Sequence, residues 1–339
     1  MSLLRETLRP VLQSGEVDHY SPSLARIDRD ITQYRGEIQP VIYPFKALAG
    51  LEVDEAIMGH KGLRTTGGFR DRAGMFVQFK DNSSQWHRFT QREEPGLAQV
   101  TAELIDENTL RFCSPNGAEL RCSPQDFEPQ DATIIRAATY KDEYVEGRME
   151  PINGPFTQFI HQHLSSLSGY TTERLQRIGV LLPHIFINRS VPSSHSGGPA
   201  AKTEFADIGK FLLINSATVD YVNEGIDPPV PDEAYRGNFI VKSGWPANLE
   251  DFIAEATLGS VEQYSMHFGV MSTRCIVTKV DPRTGIKRTD GQPIDTLMKR
   301  RPLRERQPTM GINVANRISS NEQVIRKGDI ITPNTEKWD

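Results

Sequence analysis

The spacing of apolar positions changes part-way along the chain. From residue 37 to about 150, apolar residues come in short alternating runs broken by Pro, Gly and acidic turns. "IQPVIYPFKALAGLEV" predicts a strand, a turn around Ala49-Gly50 and a second strand, and "AGMFVQF" predicts another. "WHRFTQREEPGLAQVTAELIDENTLRFCSPNGAELRCSP" continues in short β pieces, with turns at Asp106-Glu107-Asn108 and Pro115-Asn116-Gly117. Over 155–168 the period lengthens: Phe156, Phe159, Ile160 and Leu164 recur at helical spacing. "IGVLL" then predicts a buried strand ending before Pro183. "FLLINSATVDYVNEGI" predicts a strand feeding a helix capped by Asn215 or Ser216, with Val219, Val222 and Ile226 on one stripe. "YRGNFIVKSG" predicts a strand and "NLEDFIAEATLG" a short helix or helical turn. The pattern divides the chain into an extension (1–36), a β-rich domain (37–150) and a second domain (151–339). The Ser-, Gly- and Pro-rich stretch 188–204 in the second domain is expected to form a flap. The fold class is mixed α/β and β-rich.

One stretch singles itself out for chemistry, "TRCIVTKVDPRTG". Alternation over "CIVTKV" puts Cys275, Val277 and Lys279 on one face of an expected strand, and Asp281-Pro282-Arg283-Thr284-Gly285 supplies a hairpin turn. A thiol at the head of a rigid strand beside Arg274 is placed to act as thiolate, the form that binds metals.

Composition narrows the functional classes. A net charge of −5 with 37 % hydrophobic residues is that of an ordinary globular chain, which argues against nucleic acid as partner. No apolar run is long enough to span a bilayer. Glu6, Glu16 and Asp18 break up the arginine-bearing N-terminus, so a cytoplasmic location is expected. Cys113 and Cys122 sit on the two arms of one hairpin, where they can face each other; in a reducing compartment they are free thiols. No CxxC or HExxH spacing occurs. His161 and His163, two apart on a helix, point to different sides, whereas His195 and His267 are better placed to reach a pocket. "KRRPLRERQ", 299–307, is a basic cluster suited to an acidic partner or simply to solvent.

The stretch around Cys275 resembles the signature of the MOSC family, in which an Arg-Cys pair precedes an apolar strand and a T-x-[VI]-D-P-x-T-G turn. "YPFKALAGLEVDEAIMGHKGL" with "FRDRAGMFV" looks like the family's N-terminal β-rich domain. "FADIGKFLLINSATVDYVN", "YRGNFIVKSG" and "TMGINVANRISSNEQVIRKGDIIT" match later segments in family order, so the likeness runs from about 38 to 333. It implies a MOSC-type β-barrel domain behind an N-terminal MOSC β-barrel domain, as in the amidoxime-reducing components. It further implies a molybdenum cofactor (molybdopterin) with Cys275 as metal ligand and catalytic centre. By position Lys46, Arg72, Asp207, Arg236, Asn238, Thr273 and Arg274 would bind the cofactor. Arginine suits its phosphate because the planar guanidinium reaches two oxygens at once. Ala47, Ile208 and Gly209 depart from the family pattern and remove hydrogen-bond donors, and Gly237 stands where the family has proline.

The resemblance implies reduction of small N-hydroxylated substrates such as hydroxylamines, amidoximes or N-oxides. No flavin, dinucleotide or iron–sulfur fingerprint is present. Electrons would therefore come from a separate donor protein of flavoprotein, cytochrome or ferredoxin type. Two rivals stand beside this reading. One is a sulfur-carrier or cofactor-delivery protein with a persulfide on Cys275. The other is an interaction module that binds no metal.

Overall fold

The computed structural model describes residues 30–128, 132–139, 144–183, 189–191, 201–203, 205, 209–259, 264–301, 307–316 and 322–334. The alternating segments become strands, and the strands close on themselves twice. In chain order the barrel strands are β1 (Gly36–Ile42), β2 (Gly74–Lys80), β3 (Gln85–Arg88), β4 (Thr133–Ala138), β5 (Tyr144–Met149), β6 (Ile178–Leu182), β7 (Phe211–Asn215), β8 (Phe239–Ser243), β9 (Glu255–Leu258), β10 (Tyr264–Thr273), β11 (Thr309–Asn316) and β12 (Ile330–Pro333). Strands β2 to β6 pair in sequence order and β6 returns to β2, closing a small barrel. The larger barrel runs β8-β7-β11-β10-β9-β12-β1 and closes where β1 pairs with β8. Closure leaves neither ring a free edge.

The barrels trade strands relative to a division at residue 150. β1, first in the chain, completes the large barrel, and β6 completes the small one. Short strands Phe45–Lys46, Leu51–Glu52, Glu55–Gly59 and Gly62–Arg64 carry the chain from one ring to the other.

Helix α1 (Pro155–Ser165) forms where helical spacing predicts it. Pro155 presets the first turn, and the carboxylate of Glu150 accepts from the backbone N–H groups of Phe156 (3.2 Å) and Thr157 (2.6 Å). Phe156, Phe159, Ile160 and Leu164 are all buried against the small-barrel side. A short α2 (Thr172–Leu175) follows. Asn215 caps α3 (Ser216–Asn223) by accepting from Ala217 N–H at 3.2 Å, which decides between the two expected caps. Residues 249–258 do not form one helical piece: a 3-10 turn, Leu249–Asp251, is followed by β9. Helix α4 (Ile294–Arg300) packs under the end of β11.

The hairpin of Thr109–Cys113 with Glu119–Cys122 is present, but its register sets Cys113 opposite Glu119 and Cys122 opposite Leu110. The two thiols do not face each other, and all three cysteines are free.

Phe45 ties the layers together. Its ring stacks on Phe76 at 5.2 Å and lies 5.1–5.6 Å from Phe112, Phe127 and Phe156, joining the small barrel, that hairpin and α1. Phe45→Ala is expected to cost about 3–5 kcal/mol in urea unfolding, because that many rings cannot all relax into the space. Ile134→Ala, at a residue 53 % exposed, is expected to leave the midpoint unchanged.

Candidate functional site

Strand β10 ends at Thr273, paired with Thr309 of β11, and Arg274 N–H donates to the Pro308 carbonyl at 2.7 Å. There the chain leaves the sheet. Cys275 does not head a strand, as its alternating sequence suggests. It is the N-cap of a 3-10 turn, Ile276–Lys279, with φ −118° and ψ −178°. Its carbonyl accepts from the N–H (3.1 Å) and hydroxyl (2.9 Å) of buried Thr278, and this pair of bonds turns the backbone. The expected turn behind it is present, closed by a bridge between Val280 and Lys287, with Gly285 at φ 64°. Of the three cysteines, Cys275 alone is exposed.

Pairing of β1 with β8 brings the remaining pieces to this edge. Val41 N–H donates to the Asn238 carbonyl at 2.8 Å, and the Asn238 side chain returns a bond to the Val41 carbonyl at 3.2 Å. Just beyond, two guanidinium groups lie over the ring of Tyr43, Arg236 at 4.4 Å and Arg72 at 5.0 Å from its centroid. Arg72 pairs with the neighbouring Asp71 carboxylate and donates to Asn238 Oδ1 and the Arg236 carbonyl, each at 3.3 Å. Asp71 also accepts from Tyr43 N–H at 2.8 Å. Arg236 donates to the Leu48 carbonyl at 2.6 Å. Arg274 donates to Ser272 Oγ at 2.9 Å and to the Tyr235 carbonyl at 2.8 Å, and its guanidinium lies within electrostatic reach of both Arg72 and the Cys275 thiol.

The structure thus gathers Arg72, Arg236, Asn238, Arg274 and Cys275 at one edge, with Thr273 at the foot of the same strand. Lys46 is buried and donates to the Phe205 carbonyl at 3.1 Å. Asp207, Ile208 and His195 lie outside the described residues, as do all side chains of the expected flap. The other candidates fall away from the edge. His161 bonds the Ile178 carbonyl at 2.8 Å, His163 bonds Ser114 Oγ at 2.7 Å, and His267 faces Glu255 at 2.9 Å. Within the basic cluster Arg301 is not solvated, being 1 % exposed and paired with Glu250 and Asp251, and residues 302–306 are outside the described set.

Backbone strain marks the same place. Five non-glycine residues among those described have positive φ, and three of them are Ala47 (89°), Arg72 (51°) and Arg236 (56°). Left-handed backbone costs an L-residue roughly 1–2 kcal/mol, and such outliers gather at ligand clamps. Sequence reasoning missed Tyr43 and Asp71, the two residues that hold the arginines. Asp71 was visible only as the neighbour of Arg72; nothing near Tyr43 in sequence announces the arginines that flank it.

Two atoms of this cluster lack partners: the buried Arg236 Nη2 and Arg274 Nε. Burial lowers both side chains, Arg236 to about 10. An anion between them satisfies the free N–H groups and relieves the mutual repulsion of three cations. A phosphate-bearing pterin with a soft metal fits this donor set, since an exposed thiol stands at the rim of the cationic cradle. Among the described residues no group of three or more His, Cys, Asp and Glu is disposed to hold a metal ion. Also among the described residues, no helix is long and apolar enough to cross a membrane.

The comparisons agree with this architecture. Residues 38–161 match the profile of the MOSC N-terminal beta barrel domain. Human mitochondrial amidoxime-reducing component 1 is 26 % identical over 256 residues, covering 76 % of this chain and 69 % of that protein. Human mitochondrial amidoxime reducing component 2 is 27 % identical over 259 residues with the same coverage. Its counterpart from Macaca fascicularis is 28 % identical over the same length. The chain has a β-barrel fold, and its residues 38–161 are similar to the MOSC N-terminal beta barrel domain. It resembles the mitochondrial amidoxime-reducing components.

Tyr43 yields a pH test of the cluster. Burial pushes its phenol from 10.0 up to about 12, outweighing the two guanidinium groups beside it. Between those values the folded protein keeps a proton that the unfolded chain has released, so stability falls as pH rises through that window. Chemical denaturation should show Tyr43→Phe losing part of that alkaline slope, with half-buried Tyr170 and buried Tyr235 supplying the remainder.

Proposed function

We propose that this protein is a molybdenum-cofactor-dependent reductase of N-hydroxylated compounds, fed by a separate electron-donor protein. The observation that carries the reading is the pair of unpartnered guanidinium N–H groups beside an exposed cysteine. In the reading, Arg72, Arg236 and Arg274 hold the cofactor's phosphate, with Lys46, Asn238, Thr273 and Asp207 completing the polar wall. Cys275 ligates the metal. When bound, such a cofactor supplies a two-electron couple and a centre that takes up an oxygen atom.

The chain's own residues would do the positioning. Asp71 and Tyr43 fix the directions of two arginines before any ligand arrives, so little ordering entropy remains to be lost on binding. The 3-10 turn fixes Cys275 through two bonds to its carbonyl rather than through a sheet ladder, which leaves the thiol clear of neighbouring strands. Asn238 acts as a strut: it spans β1, Leu212 N–H and Arg72, and its loss would let the cradle open.

The relatives' names carry both the amidoxime chemistry and a mitochondrial address. For this chain the sequence favours the cytoplasm, and fractionation of cells expressing the tagged protein decides the compartment.

Elemental analysis and oxidised-pterin assay on protein from cofactor-competent cells test the reading. Near-stoichiometric molybdenum and pterin are expected, with Arg236→Ala lowering both by roughly tenfold or more through loss of charge-assisted bonds. Hydroxylamine and amidoxime reduction with a chemical electron donor should follow the metal content. Protein carrying neither metal nor pterin overturns the reductase reading. A persulfide on Cys275 would then indicate the sulfur-carrier alternative.

A further inference from the structure

A cavity of about 430 Å³ adjoins the Cys275 edge and plays no part in the arginine cradle. One wall is the segment 227–231 after α3, and the other is the segment 278–281 with the turn behind it. The first wall runs on into a 3-10 turn, Asp232–Tyr235, and so to Arg236; the second belongs to the 3-10 turn that Cys275 caps. These two turns pack on each other. Thr278 lines the cavity and is also the residue whose hydroxyl donates to the Cys275 carbonyl at 2.9 Å. A 3-10 turn rises roughly 2 Å per residue, so this part of the wall lies about 6 Å along the turn from the cysteine.

Both walls are built before a ligand arrives. Val230 exchanges two bonds with the side chain of Asn223, at 2.8 and 2.9 Å. Arg288 donates to the Pro228 and Asp227 carbonyls and pairs with Asp290 at 2.6 Å, which ties the proline wall to the hairpin. Asp281 Oδ1 accepts from Arg283 N–H at 2.8 Å and holds the turn. Most of the lining charge is thus spent on the chain itself, and Asp227 and Lys279 add one charge of each sign. What remains for a ligand is apolar: Pro228, Pro229, Val230 and Pro231 on one side, Val280 and Ile286 on the other. Ile286 is 67 % exposed, a large aliphatic side chain left in water on the wall of a concave site. A preformed apolar cavity of this size suits a small organic molecule, and its balance of charge suits an uncharged one.

We propose that this cavity holds the apolar body of an N-hydroxylated substrate, an aromatic amidoxime by class, while the N–OH group reaches the Cys275 edge. The proposal rests on the reductase reading and gives it a substrate preference. An amidoxime is uncharged at neutral pH, and a phenyl ring carrying that group is long enough to reach from the Thr278 wall to the cysteine. The ring lies between the prolines and Ile286, which set specificity through the body of the substrate and do not touch the reacting atoms. A methyl group in place of the ring leaves the same wall wet. Burying the ring is worth roughly tenfold or more in binding over the methyl.

The test compares benzamidoxime with acetamidoxime in wild type, Ile286→Asp and Ile286→Leu. Ile286 is exposed, so replacing it leaves the fold and the cradle in place. In loaded wild-type protein, kcat/KM should favour benzamidoxime by roughly tenfold or more; Ile286→Asp should bring the ratio near one by raising the benzamidoxime KM, and Ile286→Leu should restore it. An arm without activity follows isoleucine and valine methyl signals by NMR in purified protein, whatever its cofactor content. Benzamidoxime should shift Ile286, Val230 and Val280 saturably, acetamidoxime should not, and the two valine shifts should be lost in Ile286→Asp. No methyl shift with benzamidoxime overturns the proposal, as does a preference that Ile286→Asp leaves unchanged. If loaded protein reduces both compounds without preference, the reductase reading stands and the cavity is not its substrate site. If loaded protein reduces neither while the methyl signals still shift, the reductase reading fails and the cavity stands as a site for a small aromatic ligand.

Discussion

Three guanidinium groups gathered at low exposure repel one another, and the candidate site depends on what opposes that repulsion. Like charges about 8 Å apart cost roughly 2 kcal/mol at an effective dielectric constant of about 20. Against this stand the Asp71 carboxylate on Arg72 and the ring of Tyr43 in contact with both Arg72 and Arg236. Charge-assisted bonds contribute about 1.5–3 kcal/mol and cation–π contacts about 0.5–2 kcal/mol, so the cluster holds together with little margin. Its readiness for an anion is the same fact seen from the other side, because a bound phosphate removes the remaining repulsion and fills the free N–H groups.

The two barrels make this arrangement possible. β1 belongs to the large ring, and by pairing with β8 it sets Tyr43 beside Arg236 and Asn238. The chain then crosses to the small ring and returns Asp71 and Arg72 to the same place just before β2. A closed ring cannot slip its register, since one residue of slip turns every inward side chain outward. The left-handed backbone at Ala47, Arg72 and Arg236 is held by that rigidity.

Much of the scaffold was legible in the sequence. Helix α1 followed from four apolar residues at helical spacing behind a proline, and the β7–α3 junction from an apolar run ending in Asn215. Cys275 was misplaced for a physical reason. "CIVTKV" alternates and is rich in β-branched residues, but β10 loses its ladder partner when β11 begins at Thr309, and Thr278 offers the Cys275 carbonyl two bonds that a strand would not. That Cys113 and Cys122 are free was legible; that they do not face each other was not, because register cannot be read from the turn residues alone. The burial of Arg301 within the basic run was not legible because it finds its carboxylates about fifty residues back in the chain. The same holds for the site. Arg72 and Arg236 share Tyr43 across most of the chain's first two thirds, and only barrel closure makes them neighbours.

Molybdenum K-edge absorption, recorded on loaded protein beside Cys275→Ser, tests the central claim most directly. With Cys275 on the metal, the variant keeps its pterin, since the arginine cradle is intact, and shows one fewer sulfur neighbour around the metal. An unchanged sulfur count would remove Cys275 from the metal, and with it the reason for placing the chemistry at this edge.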